Sequence, residues 1–393
     1  MQKDYYKGRE RKLTMAGTYN HLQHFSKYLK FLDETNAKIL RALAEYGPRN
    51  TSNLAKATNL PVTTVGFRLK KMVESGLLLV TVNPNLPRLG LSKGFFVADA
   101  KLGRHDHLLE SIKNAGYWTY AVRCYGKMDG YCAYFAFPTR CQNELEDFFK
   151  EASSLEIFSR YRFFWTTNSC YVTPNFVWYD FREKVWRLQW KEWIDEILRA
   201  SEKLPENLRE NGSYQIMVDE ADLLIIKELE KDAATDIKKL SGILGITPQS
   251  AGSRFQKHII ERKLIANYNV DIYSFPLEIS DLYGFILDFN DEKALARFVN
   301  ASEGKPFFVS FAKIIGRNSL IANIHILKGE FPNLVQSLND LYSAGVVKDF
   351  YYVTLDSASY KRQTISYRYF ENGKWLYNLE ERIKKLNEIS RSH

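Results

Sequence analysis

The chain contains an internal repeat, and this repeat constrains the fold more than any other feature of the sequence. Residues 32–79 align with residues 218–265 without a gap, at a constant shift of 186 positions. An acidic start, an apolar skeleton, a central glycine and two basic positions recur, for example Asp33 with Asp219, Gly66 with Gly252, Arg68 with Arg254 and Lys71 with Lys257. A repeat of this length indicates a duplicated structural unit.

Each copy predicts three short helices followed by a strand. Asp33 and Asp219 have the residue type of a helix N-cap, and apolar residues follow them at helical spacing. A second helix over 52–58 or 237–243 leads through a tight turn to a third helix with basic residues, which is the helix-turn-helix pattern. Gly76 favours a left-handed helix end, and the extended run 79–82 predicts a wing strand.

The third helix of each copy is the candidate for DNA contact. Its apolar residues share one face, and the rest are free to face outward, where Gln, Ser and Thr can read base edges and Lys and Arg can hold phosphates. An ordinary helical bundle with a basic face is the alternative. The predicted DNA-binding residues are Thr63, Thr64, Gly66, Phe67, Arg68, Lys70 and Lys71 in the first copy, and Gln249, Ser250, Ser253, Arg254, Gln256 and Lys257 in the second.

Five segments of the first copy carry a family resemblance. They are LDE at 32–34 together with IL at 39–40, LPVTTV at 60–65, RLK at 68–70, ESG at 74–76, and NP at 83–84 together with LGL at 89–91. In these segments the chain resembles the amino-terminal domain of Lrp/AsnC (feast/famine) transcription regulators, and the second copy does so more loosely. The resemblance implies a winged helix-turn-helix that binds double-stranded DNA, and a following βαββαβ domain that dimerises and senses small effectors such as amino acids.

The remainder of each half predicts that second domain. Strand and helix patterns follow in the order βαββαβ, which is typical of a ferredoxin-like domain. Each half then adds an aromatic strand, over 171–181 or 365–370, and an amphipathic helix, which carries Trp186 and Trp193 in the first half and Trp375 in the second. We therefore predict an α+β fold of two tandem repeats. The predicted divisions are a basic arm 1–31, winged helix-turn-helix units 32–83 and 214–272, a linker 201–213, and ferredoxin-like domains 90–200 and 280–393.

The resemblance also suggests an effector site. In relatives, a hairpin of the form Gly-x-x-Asp lies near the effector, and Gly126 with Asp129 matches that form. Gly316 is followed by Ser319 where the acid would stand. The alternative is a glycine-containing turn that only joins two strands.

Charge, hydrophobic runs and cysteine content indicate the partners and the cellular compartment of the protein. The net charge is +9, and residues 1–31 hold seven basic against two acidic residues, so this arm is either a DNA contact or a solubility tail. No apolar run approaches the ~20 residues of a membrane helix. Four cysteines without a close pair indicate neither a zinc site nor a disulfide framework, and favour the cytoplasm. We predict no metal and no cofactor.

These observations predict a cytoplasmic, sequence-specific DNA-binding transcription regulator whose two halves pair within one chain; further pairing of chains stays open. We predict that it is not an enzyme, because no glycine-rich phosphate loop, HExxH or GxSxG motif is present. Two alternatives remain. The first is a protein-interaction module that uses the winged helices. The second is a siroheme decarboxylase, a class that shares this architecture but whose histidine-tyrosine motif and arginine-rich wing are not evident here.

Overall fold

A computed structural model describes residue 26 and residues 31–391, except 77, 211, 213, 214 and 273. The predicted basic arm therefore lies outside the described residues, apart from Ser26 and Phe31. Within the described part, no helix is both long and apolar enough to cross a membrane.

The first half consists of a helix-turn-helix unit, a βαββαβ unit and an extension. Its main elements are α1 (Glu34–Tyr46), α2 (Thr51–Thr58), α3 (Val62–Glu74), β1 (Leu79–Pro84), β2 (Leu91–Ala100), α4 (His105–Asn114), β3 (Trp118–Gly126), β4 (Gly130–Pro138), α5 (Gln142–Ser154), β5 (Phe158–Thr166), β6 (Cys170–Tyr171), β7 (Tyr179–Asp180), β8 (Val185–Trp186) and α6 (Trp190–Arg199).

The second half repeats this order. Its main elements are α7 (Glu220–Leu229), α8 (Ile237–Leu244), α9 (Pro248–Arg254), β9 (Ile265–Asp271), β10 (Ser280–Phe289), α10 (Glu292–Ser302), β11 (Phe308–Lys313), β12 (Ser319–Leu327), α11 (Phe331–Ser343), β13 (Val347–Leu355), β14 (Lys361–Arg362), β15 (Phe370–Glu371), β16 (Lys374–Trp375) and α12 (Leu379–Arg391). The predicted fold class is confirmed.

The strand that follows each helix-turn-helix does not form a wing within its own unit, and the predicted wings are wrong in this respect. Instead, β1 pairs antiparallel with β9, and we call this pair the ribbon. Val82 lies opposite Tyr268, and these two positions are also related by the repeat shift of 186, so the strands pair about an approximate twofold axis. A single strand leaves its backbone groups unpaired, and the equivalent strand satisfies them.

The ribbon also holds the two helix-turn-helix units together. The backbone N–H of Ala233, just after α7, donates to the carbonyl of Val80 at 2.8 Å. Gly47 ends α1 with a φ of 67°, and a Cβ there would lie 2.4 Å from the Tyr268 ring, so only glycine allows this close approach. The helix-turn-helix units are thus packed against each other through the ribbon.

The two βαββαβ units join edge to edge. Within the described residues, one sheet runs in the order β5-β2-β4-β3-β13-β10-β12-β11-β6. Strands β3 and β13 pair from Cys124–Leu355 to Gly126–Val353, and a bridge between Thr166 and Ile314 links the far ends. Apolar side chains from both halves share one buried cluster between the units, for example Phe95, Val122, Cys132, Ile286, Ile321 and Val353.

The extensions are exchanged between the halves. Strand β6 of the first half pairs with β11 of the second, and β14 of the second pairs with β3 of the first. Helix α6 packs on α10 and α11, whereas α12 packs on α4 and α5. Each half therefore completes the hydrophobic core of the other, and the predicted pairing of domains 90–200 and 280–393 does not include this exchange.

Three local predictions for the extensions are wrong. Residues 171–181 are mainly irregular rather than one strand. Trp186 lies on strand β8, before helix α6 begins, and Trp375 lies on strand β16, before helix α12 begins. The predicted linker is also anchored, because Leu204 and Leu208 are buried in the core of the second half. Glu210 accepts hydrogen bonds from Lys313 and from the Gly316 backbone.

The exchanged helix α6 gives a stability prediction. The Trp193 side chain is fully buried, donates to Ser302 Oγ at 3.1 Å and contacts Phe298 and Phe307 of the second half. Trp193→Ala should lower the free energy of unfolding by about 3–5 kcal/mol through the cavity it leaves. Leu198→Ala, on the same helix but 42% exposed, should cost about 0.5 kcal/mol. Urea denaturation measures both, and equal losses would contradict the exchange of the helix.

Candidate nucleic-acid interface

The outward stripe of α3 is formed by Thr63, Phe67 and Lys70, which follow one another at spacings of four and three and are all exposed. Val65 and Met72 are buried on the opposite side, against the unit's own core. The Phe67 side chain is 68% exposed. This face is therefore free to meet a partner.

The equivalent stripe of the second unit is formed by Gln249, Ser253 and Gln256, also exposed. Here the helix is not regular, because α9 changes into a π-helical turn over Phe255–Ile260. Gln256 and Lys257 lie on that turn, whereas their counterparts Lys70 and Lys71 lie on α-helix. A π turn holds an extra residue and often marks a functional position. The two third helices thus present different chemistry and different geometry.

The other predicted contact residues are exposed or half-buried, and two of the lysines contact side chains of their own unit. Lys71 is exposed with its ammonium 5.0 Å from the Phe31 ring centre, and Lys70 pairs with Glu74 at 3.7 Å. Thr64 is half-buried, and Ser250 is exposed at the start of α9. A Cβ at Gly66 would only touch Thr51 at 3.8 Å, so packing inside the unit does not require glycine there.

Arg68 and Arg254, which the sequence predicts as phosphate contacts, form ion pairs within their own units. Arg68 Nη1 lies 2.6 Å from Asp33 Oδ2, and Arg254 Nη1 lies 2.7 Å from Asp219 Oδ1. Both aspartates cap the first helix of their own unit. The two arginines therefore tie the third helix to the start of the first, at equivalent places in both units. Their role as phosphate contacts stays a prediction, but these ion pairs favour an anchoring role.

The anchor of the second unit is more strongly charged. Asp222, which replaces Asn36 of the first unit, is fully buried and accepts from Arg254 at 2.6 Å and from His258 at 3.0 Å. Burial raises the pKa of Asp219, but the hydrogen bonds from Arg254 and from the Asp222 backbone outweigh it and hold that pKa below its ordinary value. Asp219, Asp222 and His258 are close enough to ligate a metal ion, yet Arg254 already supplies the balancing positive charge.

The predicted effector residues lie at the β3–β4 turn. Gly126 has a φ of 102° and pairs with Val353 at the junction of the two halves. The Asp129 carboxylate accepts from Arg123 at 3.1 Å. These contacts give the turn a structural role, and effector binding there stays a prediction.

Sequence reasoning missed a partly buried polar layer between the ribbon and the sheet. Lys93 on β2 donates to Ser169 Oγ, lies 4.7 Å from the Tyr134 ring centre, and forms no ion pair within the described residues. Burial lowers the pKa of its ammonium to about 7. Asn83 and Asn267 of the ribbon both donate to the Ser169 carbonyl, at 2.6 and 3.2 Å. A lysine inside an apolar strand was the available signal.

Comparison with known proteins identifies one domain. A model described as a helix-turn-helix domain matches residues 31–81. Uncharacterized HTH-type transcriptional regulators of Pyrococcus horikoshii and Pyrococcus furiosus are 32% and 33% identical over 69 residues, which is 17% of this chain. The chain spans only 46% of the length of either relative. The first unit is therefore a helix-turn-helix domain.

A solved structure shares the fold over most of the chain. The siroheme decarboxylase NirDL aligns with 91% of this chain and 99% of its own, with a TM-score of 0.51 and 13% identity. Escherichia coli AsnC aligns over 34% of this chain with a TM-score of 0.27 and 15% identity. The NirDL match, at this identity, shows the shared fold.

This match contradicts the prediction that the protein is not an enzyme. That prediction rested on missing short motifs, whereas the solved structure that spans nearly the whole chain is an enzyme of the same fold. The architecture is therefore compatible with catalysis, and the absence of short motifs does not exclude it.

The anchors give a prediction that separates their two roles. Arg254→Ala should leave the buried Asp222 short of its main partner and destabilise the second unit by about 3 kcal/mol. Arg68→Ala should cost about 1 kcal/mol, because Asp33 is half exposed and Asn36 is neutral. Hydrogen exchange of residues 219–262 and of residues 33–76 measures each loss.

The pH dependence has a definite sign. Since the pKa of Asp219 is lowered in the folded state, the stabilisation by Arg254 should be complete at neutral pH and lost as the pH falls through that lowered pKa.

The variants Arg254→Ala and Arg68→Ala also test the alternative role. Unchanged hydrogen-exchange protection in both variants, together with lost DNA affinity, would establish the two arginines as phosphate contacts.

Proposed function

We propose that the protein is a sequence-specific DNA-binding transcription regulator in which both helix-turn-helix units of one chain bind DNA together. The observation that carries the proposal is the exposure of the outward stripe on both third helices, while the equivalent residues Arg68 and Arg254 anchor these helices to the first helix of each unit. The names of the partial relatives support the same function.

The single-chain arrangement is part of this proposal. The ribbon relates the two units by an approximate twofold axis, and the exchanged extensions fix their bodies together. Twofold-related reading helices suit two half-sites on one face of a duplex. Since the two stripes differ in residue type, we propose an asymmetric site and a protein that acts as an internal pseudo-dimer. The repeat boundaries 32–83 and 214–272 are the proposed DNA-binding domains.

The test is the salt dependence of binding to a duplex selected from a random library. Each phosphate contact contributes a slope of about 0.9 in the plot of log affinity against log salt. Lys71→Ala and Lys257→Ala should each reduce the slope by about 0.9, and the double variant by about 1.8, because one chain uses both helices at once.

Lys150, exposed on α5, belongs to neither helix-turn-helix unit, so Lys150→Ala is the control and should leave the slope unchanged. If only one of the two variants changes the slope, the pseudo-dimer fails while DNA binding stands. If wild-type protein binds no duplex in a salt-dependent manner, the proposal fails, and a protein-interaction role for the helices becomes the better account.

A second candidate function is the binding and conversion of an iron tetrapyrrole. The NirDL structure with an iron-uroporphyrin III analogue shares the fold over 90% of this chain. The half-buried ammonium of Lys93 contacts Ser169 Oγ and the Tyr134 ring but no carboxylate in the described residues, and it offers a partner for a ligand carboxylate in the polar layer.

Titration with iron-uroporphyrin III should then give a saturable shift of its absorbance band, weakened about tenfold or more by Lys93→Met through the lost charge pair. Lys150→Ala is again the matched control. A spectrum that does not change on adding protein would remove this candidate.

A further inference from the structure

We infer that the first unit reads thymine through its C5-methyl group, with Phe67 as the reading side chain, and that the second unit does not. This inference rests on the proposed DNA-binding function. It goes further by assigning different base chemistry to the two halves of one site.

Phe67 is a highly exposed aromatic residue on helix α3. It has the largest exposed fraction of any aromatic side chain in the described part of the chain, and it makes no ring contact there. A phenyl ring so placed on a recognition helix gains by contact with an apolar surface. In the major groove, the thymine methyl is the group that offers such a surface.

The neighbours of Phe67 fit a DNA groove rather than an apolar protein surface. Thr63 lies one turn earlier and adds a hydroxyl and a methyl, and Lys70 lies one turn later. Helix α3 carries three basic residues and a single acid, Glu74. A ring flanked by positive charge is complementary to a base edge between phosphates, because the lysines can hold the backbone while the ring reaches the base.

The equivalent stripe of the second unit is polar and carries no aromatic ring. Ser253 takes the place of Phe67, and Gln249 and Gln256 take the places of Thr63 and Lys70. A glutamine amide pairs with adenine through two hydrogen bonds and needs no methyl group. The repeat therefore supplies its own comparison at one position, since Phe67 and Ser253 are equivalent residues that both lie on α-helix.

The experiment replaces thymidine by deoxyuridine in one half of the selected duplex at a time. This removes the C5-methyl group and leaves the hydrogen-bonding groups of the base intact. Wild-type affinity should fall about fourfold per contacted methyl in one half-site and stay constant in the other. Phe67→Ser, which installs the residue type of the second unit, should abolish this sensitivity. Ser253→Phe should create it in the other half-site. Both positions are exposed, and circular dichroism checks that both variants are folded.

The outcomes separate the two levels of the argument. Salt-dependent binding without any effect of deoxyuridine would overturn the inference and leave DNA binding intact. Sensitivity that persists in Phe67→Ser would also overturn it, because another residue would then read the methyl. Unchanged DNA affinity of Phe67→Ser, with loss of a protein partner instead, would assign the ring to protein docking. Absence of salt-dependent DNA binding in the wild type would refute the proposed function itself.

Discussion

The pairing of β1 with β9 is the interaction on which the rest of the structure depends. Each strand alone would expose a row of backbone donors and acceptors. Pairing satisfies them and places Val82 opposite Tyr268 on the approximate twofold axis. The apolar residues Val80, Val82 and Val270 then join the same core as helices α1 and α7. The relative position of the two helix-turn-helix units follows from this one ribbon.

The exchanged extensions apply the same principle to the central sheet. Trp193 fills the second half, and Trp375 lies in the core of the first half, where its indole donates to the Leu89 carbonyl at 2.6 Å. Because each half buries part of the other, neither βαββαβ unit has a complete core of its own. A single chain that holds both halves at a fixed geometry suits the binding of two neighbouring half-sites, and it equally suits a ligand held between the halves.

The two helix-turn-helix units share the same order of helices and the same arginine-to-aspartate ion pair. They differ in the residues of the outward stripe and in the charged residues that are buried. The arginine-to-aspartate anchor occurs in both, but Asp222 and His258 in the second unit replace Asn36 and Met72. The extra charges accompany a π turn that the first unit lacks. Between the ribbon and the sheet, a second asymmetry appears, since Lys93 is half-buried there without a carboxylate partner in the described residues. These differences locate where each half would acquire its own specificity.

The sequence by itself determined the repeat, the helix-turn-helix units, the βαββαβ order and most helix and strand positions, because local periodicity and capping residues encode them. Asp33 and Asp219 cap their helices as their residue type predicts. Tertiary structure alone decided that the predicted wings pair with each other, that the extensions cross to the opposite half, and that Arg68 and Arg254 turn inward. Each of these depends on which surface is nearest in space, and a partner 186 residues away leaves no local pattern. The same reason explains Lys93, whose neighbours Ser169 and Tyr134 come from distant strands and loops.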